Sequence, residues 1–556
     1  MPAQSSTFRS VQRPADDVYA PPRYNTGSTQ IATAVVGSNG GAMVVDLTSG
    51  KGAMVNGTGD TGAASDDDAV RATIIRNRSS VVQQGVIIAA VLETPLNSDR
   101  PGMARLEGLA MATPFGSSVL TLDDISTRFR HTFEGFVDAR KGKNKHYSLT
   151  DAALSAFSVF FTQSPSFLDF QRTLELTHGN NNARTLFGVH EIPSDNQIRN
   201  LLDNTPPQHL APLYSFIFNA LDNASIIDTF HSFNDSLLVA LDGVEYFSSK
   251  EIHCEHCSTR QHANGQITYS HTVLTPVVLK PSCKEVIPLA PEFILPQDGA
   301  VKQDCELNAG KRWLHRYQKE FGRHKVTLLG DDLYSHEPFC RDALAHGFDF
   351  IYVCKKSSHT TLYEWLDYLQ GGDGIRTVTR TRWTGKRHET DTYRYAQSVP
   401  LRDGKAALHV QWFELVTTDE AGKEIYRNAF VTNHAVSDKN VAEAVEAGRG
   451  RWKIENENNN TLKTKGYHFE HNYGHGKKHL SSLLASLIIL AFLTHTVMEW
   501  MDDKYRLLRQ KLPSRQRMFN DIRALTSYLC FESWDALMAF MLQSFEPIPP
   551  ARPKTG

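Results

Sequence analysis

An α/β fold is predicted by three observations. Apolar runs of strand length end in Asp or Gly, capped helix-period segments lie before and between them, and the composition shifts sharply near residue 125. Residues 1–125 are rich in Gly, Ser, Thr, Ala and Asp, with GSNGG and NGTGDTGAASDDD and little sustained periodicity, which predicts a largely disordered region.

Residues 126–230 read as a helical block. From Asp151 to Phe161 the chain is an apolar helix candidate, with Ser148 or Thr150 as its cap and Pro165 marking its end. A second helix begins at Ser194, whose spacing to Gln197 fits a capping box ahead of Ile198, Leu201 and Leu202. A third lies between Pro207 and Ala224. A packing subdomain is one reading of this block, and spacing alone picks out no recognition helix.

Residues 231–500 carry the strands. Runs near 237–243, 271–280, 286–294 and 325–330, a helix near 336–346 and a strand over 348–354 give an α/β sheet in ribonuclease-H-like order. Short alternating runs over about 366–428 predict a β-rich insertion that interrupts this core, which resumes at 429–433. The most apolar stretch, 480–498, contains Ser481, Ser482, Ser486, Thr494 and His495, so a buried helix on the catalytic domain is expected rather than a membrane span. Residues 501–556 read as a helical tail of mixed charge with a proline-rich end.

Two aspartates close strands. Asp242 ends the run LLVALDG, which leaves its carboxylate at the strand end rather than in the core, and Asp331 repeats the arrangement in LLGDDLYS, with Asp332 beside it. A third acid falls on a helix that starts from Ser437 as N-cap and continues past Gly448 and Gly450 into Arg451. At about 100° per residue, Glu455 lies roughly 40° from Arg451 while Glu457 lies roughly 120° away on the other side, which favours Glu455. Alone, an Asp-Gly after a strand is ordinarily a turn. Acids from two strands and one helix have a chemical use: Mg2+ or Mn2+ takes oxygen ligands, and two such ions clamp the attacking and leaving oxygens of a displacement at phosphorus.

Other signals are local. Cys254 and Cys257 form a C-x2-C followed by His262 and His271, half of a structural Zn2+ pattern, with Cys283 and Cys305 as further candidate donors; a reduced cysteine pair in a loop is the bland alternative. Between Arg376 and Arg394, bases mix with aromatics, and Arg382, Arg387 and Trp383 are candidates for tracking a backbone and stacking on an unpaired base. For Trp412, packing within a sheet is the favoured reading. The chain has 556 residues, 40% apolar, and a net charge of −2. A near-neutral total does not exclude nucleic acid, since only the phosphate-facing surface need be basic. Seven cysteines and an N-terminus without an apolar core segment predict a reducing, cytoplasmic location.

The segments LLVALDG, LLGDDLYS, AFVTNH and GRGRWKIENENNNTLK together resemble those of DDE insertion-sequence transposases, in particular the group with a Tyr-Arg-Glu-Lys signature around the last acid. The resemblance runs from about Tyr147 to Trp500. It implies that Asp242, Asp331 and Glu455 are metal ligands and that Arg451 and Lys463 contact the DNA end. It further implies DNA binding or dimerisation for residues 126–230, as the alternative to packing, with double-stranded DNA as partner, both terminal inverted repeats and target, a homodimer on the DNA ends, and no membrane. Two departures stand out: Gly448 occupies the place of the signature tyrosine, and seven residues rather than the usual six separate Glu455 from Lys463. Either the helix carries a local irregularity or the lysine role has moved. A structure-selective DNA nuclease on the same fold would use the same acids, and a transposase-derived DNA-binding protein could dispense with them.

Overall fold

In a computed structural model, the described residues are 90–92, 106–108, 120–141, 145–174, 177–296 and 304–545. The chain divides into two compact units, Met1–Pro114 and Phe115–Gly556. In the first, β1 (Ala90–Leu92) pairs antiparallel with β2 (Leu106–Gly108). The rest of the expectation for residues 1–119 lies outside the described residues.

The second unit opens earlier than composition suggests, because α1 (Leu122–Glu134) straddles residue 125. Thr121 starts it: its hydroxyl accepts from Asp124 N at 3.1 Å while the Asp124 carboxylate accepts from Thr121 N at 2.9 Å, a reciprocal cap that satisfies two donors. α2 (Leu149–Phe161) is capped by Ser148, whose Oγ accepts from Asp151 N at 2.9 Å, and is buried along its whole length. Around it lie α3 (Phe167–Leu174), α4 (Thr177–Phe187), α5 (Asp195–Leu202) and α6 (Ala211–Asn223).

A nine-stranded sheet follows, in the order β12-β13-β14-β15-β11-β10-β3-β7-β8. Within it, β3 (Leu237–Ala240) runs parallel to β10 (Val326–Gly330) and antiparallel to β7 (Val277–Leu279). β7 pairs antiparallel with β8 (Ile287–Pro288), and β10 runs parallel to β11 (Asp349–Val353). Every residue of β3 and β10 is buried, as expected of parallel strands covered on both faces. A second sheet joins β4 (Gly243–Ser249), β5 (Ser258–Gln261), β6 (Ile267–Leu274) and β9 (Glu292–Ile294). The runs expected over 271–280 and 286–294 are therefore each two strands, and the first breaks at Thr275 and Pro276, where proline removes a ladder donor. Between strands lie α7 (Glu306–Tyr317), α8 (Glu337–Ala345) and α9 (Thr360–Gln370).

The β-rich stretch continues the main sheet. Its start is helical, in α9, and β12 (Ile375–Trp383), β13 (His388–Pro400), β14 (His409–Thr418) and β15 (Glu424–Thr432) form an antiparallel meander that extends the main sheet. The join is β15, whose buried second half pairs with β11 at Ile351, Tyr352 and Val353. Alternating apolar residues report one buried face, and they cannot tell whether a strand closes on its own sheet or on a neighbouring one.

After β15 come α10 (Val441–Arg449), capped at Asn440 rather than Ser437, and a π-helical stretch over Ile454–Asn459 that leads into α11 (Asn460–Thr464). Ser437 instead donates its N–H to Asn440 Oδ1 at 2.7 Å, closing a turn ahead of the helix. α12 (Leu480–Met501) is long and apolar enough to cross a membrane by length and composition, and its apolar window is wholly buried inside the protein. The tail, α13 (Asp503–Lys511), α14 (Arg515–Thr526) and α15 (Trp534–Gln543), does not stand alone. Trp534 Nε1 donates to Leu186 O at 2.7 Å, Trp534 N donates to Asp123 Oδ1 at 3.1 Å, and Asn182 Nδ2 donates to Thr526 O at 2.8 Å, so both ends of the second unit build one helical layer.

A candidate carboxylate site and a cysteine-histidine cluster

Asp242 leaves the end of β3 and Asp331 the end of β10, two parallel neighbours paired from Leu237 to Ala240 and from Val326 to Leu329, so their carboxylates emerge side by side at the same sheet edge. Glu455 arrives from the π-helical stretch. Burial raises the Asp242 carboxyl to about 7; Arg451 opposes that rise, and the negative charges of Glu306, Glu455 and Asp331 add to it. Asp332 is turned away. Its carboxylate accepts from Lys355 N and Ser358 Oγ, both at 2.6 Å, which leaves Asp331 as the acid of this pair that meets the others.

Several partners hold the acids. Arg451 is buried and donates to Glu455 Oε1 at 2.9 Å, one turn along. Asn459 Nδ2 donates to Asp242 Oδ2 at 3.3 Å, while Asn459 Oδ1 accepts from Thr275 Oγ1 and Asn458 Nδ2, each at 3.0 Å. Thus the strand break at Thr275 and the helix after Glu455 grip the same aspartate. Glu306 is a fourth acid that sequence reasoning missed. It opens α7, with its carboxylate packed over Gly243: a Cβ there would meet Glu306 Oε2 at 2.5 Å. Tyr334 Oη donates to Glu306 Oε1 at 2.7 Å, and burial followed by the Glu306 charge holds that phenol protonated, well above its ordinary range. No strand-end pattern marks Glu306; the signal in hindsight is Tyr334, three residues after Asp331.

Both departures from the resembled signature fall at local features of the fold. Gly448 packs against the sheet so tightly that a Cβ would lie 2.7 Å from Phe430 Cε1 and 3.1 Å from Ile351 Cγ2, which leaves no room for tyrosine. Between Glu455 and Lys463 the helix does carry an irregularity, a π-helical stretch over Ile454–Asn459 in which a turn takes one more residue than an α turn. Lys463 Nζ nevertheless pairs with Glu470 Oε1 at 2.7 Å.

Arg382 pairs with Glu389 at 2.7 Å and with Asp391 at 2.8 Å, and Arg387 pairs with Glu389 at 3.0 Å. Both acids are buried, so these guanidiniums serve the β12–β13 hairpin and offer less free charge to a phosphate than the sequence suggested. Trp383 is 59% exposed at the end of that hairpin, whereas Trp412 is buried within the sheet.

Of the candidate zinc ligands, the structure brings together Cys254, Cys257 and His271, and adds His475 in place of His262. His262 sits in the turn between β5 and β6 with its Nε2 2.7 Å from Thr268 Oγ1, its ring exposed. His475 had no spacing signal, because it reaches Cys257 from 218 positions away. Cys283 instead donates to Glu285 Oε2 at 3.3 Å, and Cys305 is exposed at the start of α7.

No family model matches the chain and no curated protein matches it. Among solved structures it is similar to a piggyBac transposase synaptic complex with hairpin DNA determined by cryo-EM, at 9% identity over 78% of this chain and 88% of that one, with a TM-score of 0.30. At that TM-score the function has to be read from the residues.

Proposed function

We propose that this protein is a DNA transposase of the DDE type, which cuts at the ends of an insertion sequence and joins them to target DNA. The observation that carries the reading is the meeting of Asp242, Asp331 and Glu455 from two adjacent parallel strands and a helix, with Arg451 bonded to the last of them. The order β8-β7-β3-β10-β11, an antiparallel edge on parallel neighbours, supports a ribonuclease-H-like core.

The donor set fits hard divalent cations. Carboxylates at Asp331, Glu455 and Glu306 push the Asp242 carboxyl up while the Arg451 guanidinium opposes them, and repulsion of that kind is what a bound cation relieves. Two magnesium or manganese ions held by Asp242, Asp331 and Glu455 would supply charge neutralisation at the attacking and leaving oxygens of the phosphate. The protein's own part is positional: Asn459 fixes Asp242, Arg451 fixes Glu455, and Tyr334 fixes Glu306. Water then opens one strand at the element's end, and the freed 3′-hydroxyl attacks the opposite strand or the target. Trp383, exposed at the hairpin end, is the residue placed to stack on an unpaired base, and two copies of the chain would hold the paired ends.

The test gives purified protein magnesium and the inverted repeats that flank its coding region. Release at those ends followed by strand transfer is expected, with both lost in Glu455→Gln and kept in Glu457→Gln. Nicking that ignores the end sequence would instead assign a structure-selective nuclease, and end binding without cleavage in wild type would assign a DNA-binding derivative.

A further inference from the structure

The β4–β6 hairpin carries a second chemistry on the opposite side of Asp242. Cys254 and Cys257 sit in a tight turn between β4 and β5, closed by Cys257 N donating to Cys254 O at 3.2 Å and by Cys254 N donating to Cys257 Sγ at 3.4 Å. His271 comes from β6, and His475 from the loop between α11 and α12. Cys257, His271 and His475 are buried and Cys254 half-buried.

The distances among the four donor atoms decide what they suit. The two sulfurs are 3.9 Å apart; His271 Nε2 lies 3.5 Å from Cys254 Sγ and 3.4 Å from Cys257 Sγ; His475 Nε2 lies 3.5 Å from Cys257 Sγ. With metal bonds of about 2.3 Å to sulfur and about 2.0–2.1 Å to nitrogen, tetrahedral angles require edges of about 3.8 Å between sulfurs and about 3.5 Å between sulfur and nitrogen. We propose that Cys254, Cys257, His271 and His475 hold a structural zinc ion.

A hydrogen-bonded alternative is visible elsewhere in the fold and looks different. At Asp228, His231 and His324, another grouping with metal-donor atoms close together, each ring nitrogen already has a protein partner: His231 bonds Asp235 and His324, each at 2.9 Å, and His324 bonds Asp222 at 2.8 Å. In the cysteine cluster both Nε2 atoms point at sulfurs and all four donors converge on one point. Aromatic walls exclude water there, with Tyr246 stacked on His271 at 5.8 Å and Phe247 4.3 Å from the His475 ring.

The ion would tie together two elements that flank the carboxylate site. β4 begins at Gly243, directly after Asp242, and the His475 loop follows the helix that carries Glu455. Asp203 fixes the other end of that loop, accepting from the N–H groups of Lys477 at 3.0 Å and Leu480 at 3.2 Å. Zinc at this place is a staple for the acid-bearing elements and touches no substrate.

Metal analysis of the full chain, purified without a polyhistidine tag, tests the site independently of DNA cleavage. About one zinc per chain is expected, and replacement by cobalt should give the visible bands of a tetrahedral site with thiolate ligands. Cys257→Ser and His475→Ala should lose the metal and melt at the lower temperature that a chelator imposes on wild type, while His262→Ala keeps both metal and melting temperature. Because Cys257→Ser can fail to fold, the cobalt spectrum of the wild-type chain and zinc retention by His475→Cys decide in that case. A wild-type chain free of zinc after refolding in its presence, an octahedral cobalt spectrum, or loss of metal in His262→Ala but not in His475→Ala would overturn the proposal.

Discussion

The carboxylate site adjoins the start of β4, the cysteine-histidine cluster packs on Tyr246 and Phe247 of the same strand, and the two pose opposite electrostatic problems. The pocket gathers hard, like-charged oxygen donors and is half-open, so its unbalanced charge is left for solvent, a cation or a phosphate to meet. In the cluster, soft donors are enclosed by aromatic rings, and the internal geometry is nearly closed before anything binds. What differs is where the restraint comes from. The acids are held by hydrogen bonds from outside their own set, through Asn459, Arg451 and Tyr334, and the cluster's donors chiefly by one another.

The largest effect that would break this contrast is at Asp242. Asp242→Asn should leave the melting temperature near wild type while end cleavage falls by on the order of a hundredfold or more, about 3 kcal/mol of barrier. Cleavage within a few-fold of wild type would show that the strand end is structural. Asp332→Asn should invert that pattern: cleavage per folded molecule persists, and stability falls by about 1–2 kcal/mol because a half-buried acceptor of two bonds is weakened, as a denaturation curve would read.

On the cluster side, Gly476→Ala strains the loop next to His475. Gly476 has φ of +69°, and its Cβ would meet Asp203 Oδ1 at 2.3 Å. A loss of roughly 1–3 kcal/mol in thermal or denaturant unfolding is expected. An unchanged stability would mean that Asp203 does not anchor this loop.

Smaller effects separate charge that is available from charge that is already paired. Tyr334→Phe removes one hydrogen bond from Glu306 and keeps its carboxylate, so a cleavage change of roughly tenfold, about 1.4 kcal/mol, is expected, with the divalent-ion concentration for half-maximal rate shifted. For Arg382→Ala, whose guanidinium is already paired with Glu389 and Asp391, affinity for end DNA should change by less than about threefold, under about 0.7 kcal/mol. Trp383→Ala, removing an exposed ring, should weaken binding to a frayed end more than to a blunt duplex. Equal losses in both would remove its stacking role.

Legibility followed the length scale of the signal. Asp242 and Asp331 were visible because a strand end is a local pattern, and α2 because Ser148 and the apolar run behind it are contiguous. Glu306 was not, since it takes its place by packing over Gly243 and bonding Tyr334, contacts that no periodicity encodes. The C-x2-C turn announced half a site, and proximity in sequence then favoured His262, which sits on the hairpin but faces Thr268. The β-rich stretch was legible as strands, but alternation in β12–β15 marks strands without naming the sheet they join.

By itself, then, the sequence determined the α/β class, the strand-ending acids, the capped helices and the thiol pair, because each is set by residues within a few positions of one another. Tertiary structure alone decided that β15 joins β11, that Trp534 docks under Leu186, that Glu306 becomes the fourth acid, and that His475 rather than His262 faces the cysteines. Those outcomes depend on which surfaces exclude water together, and burial of that kind is a property of the packed chain as a whole.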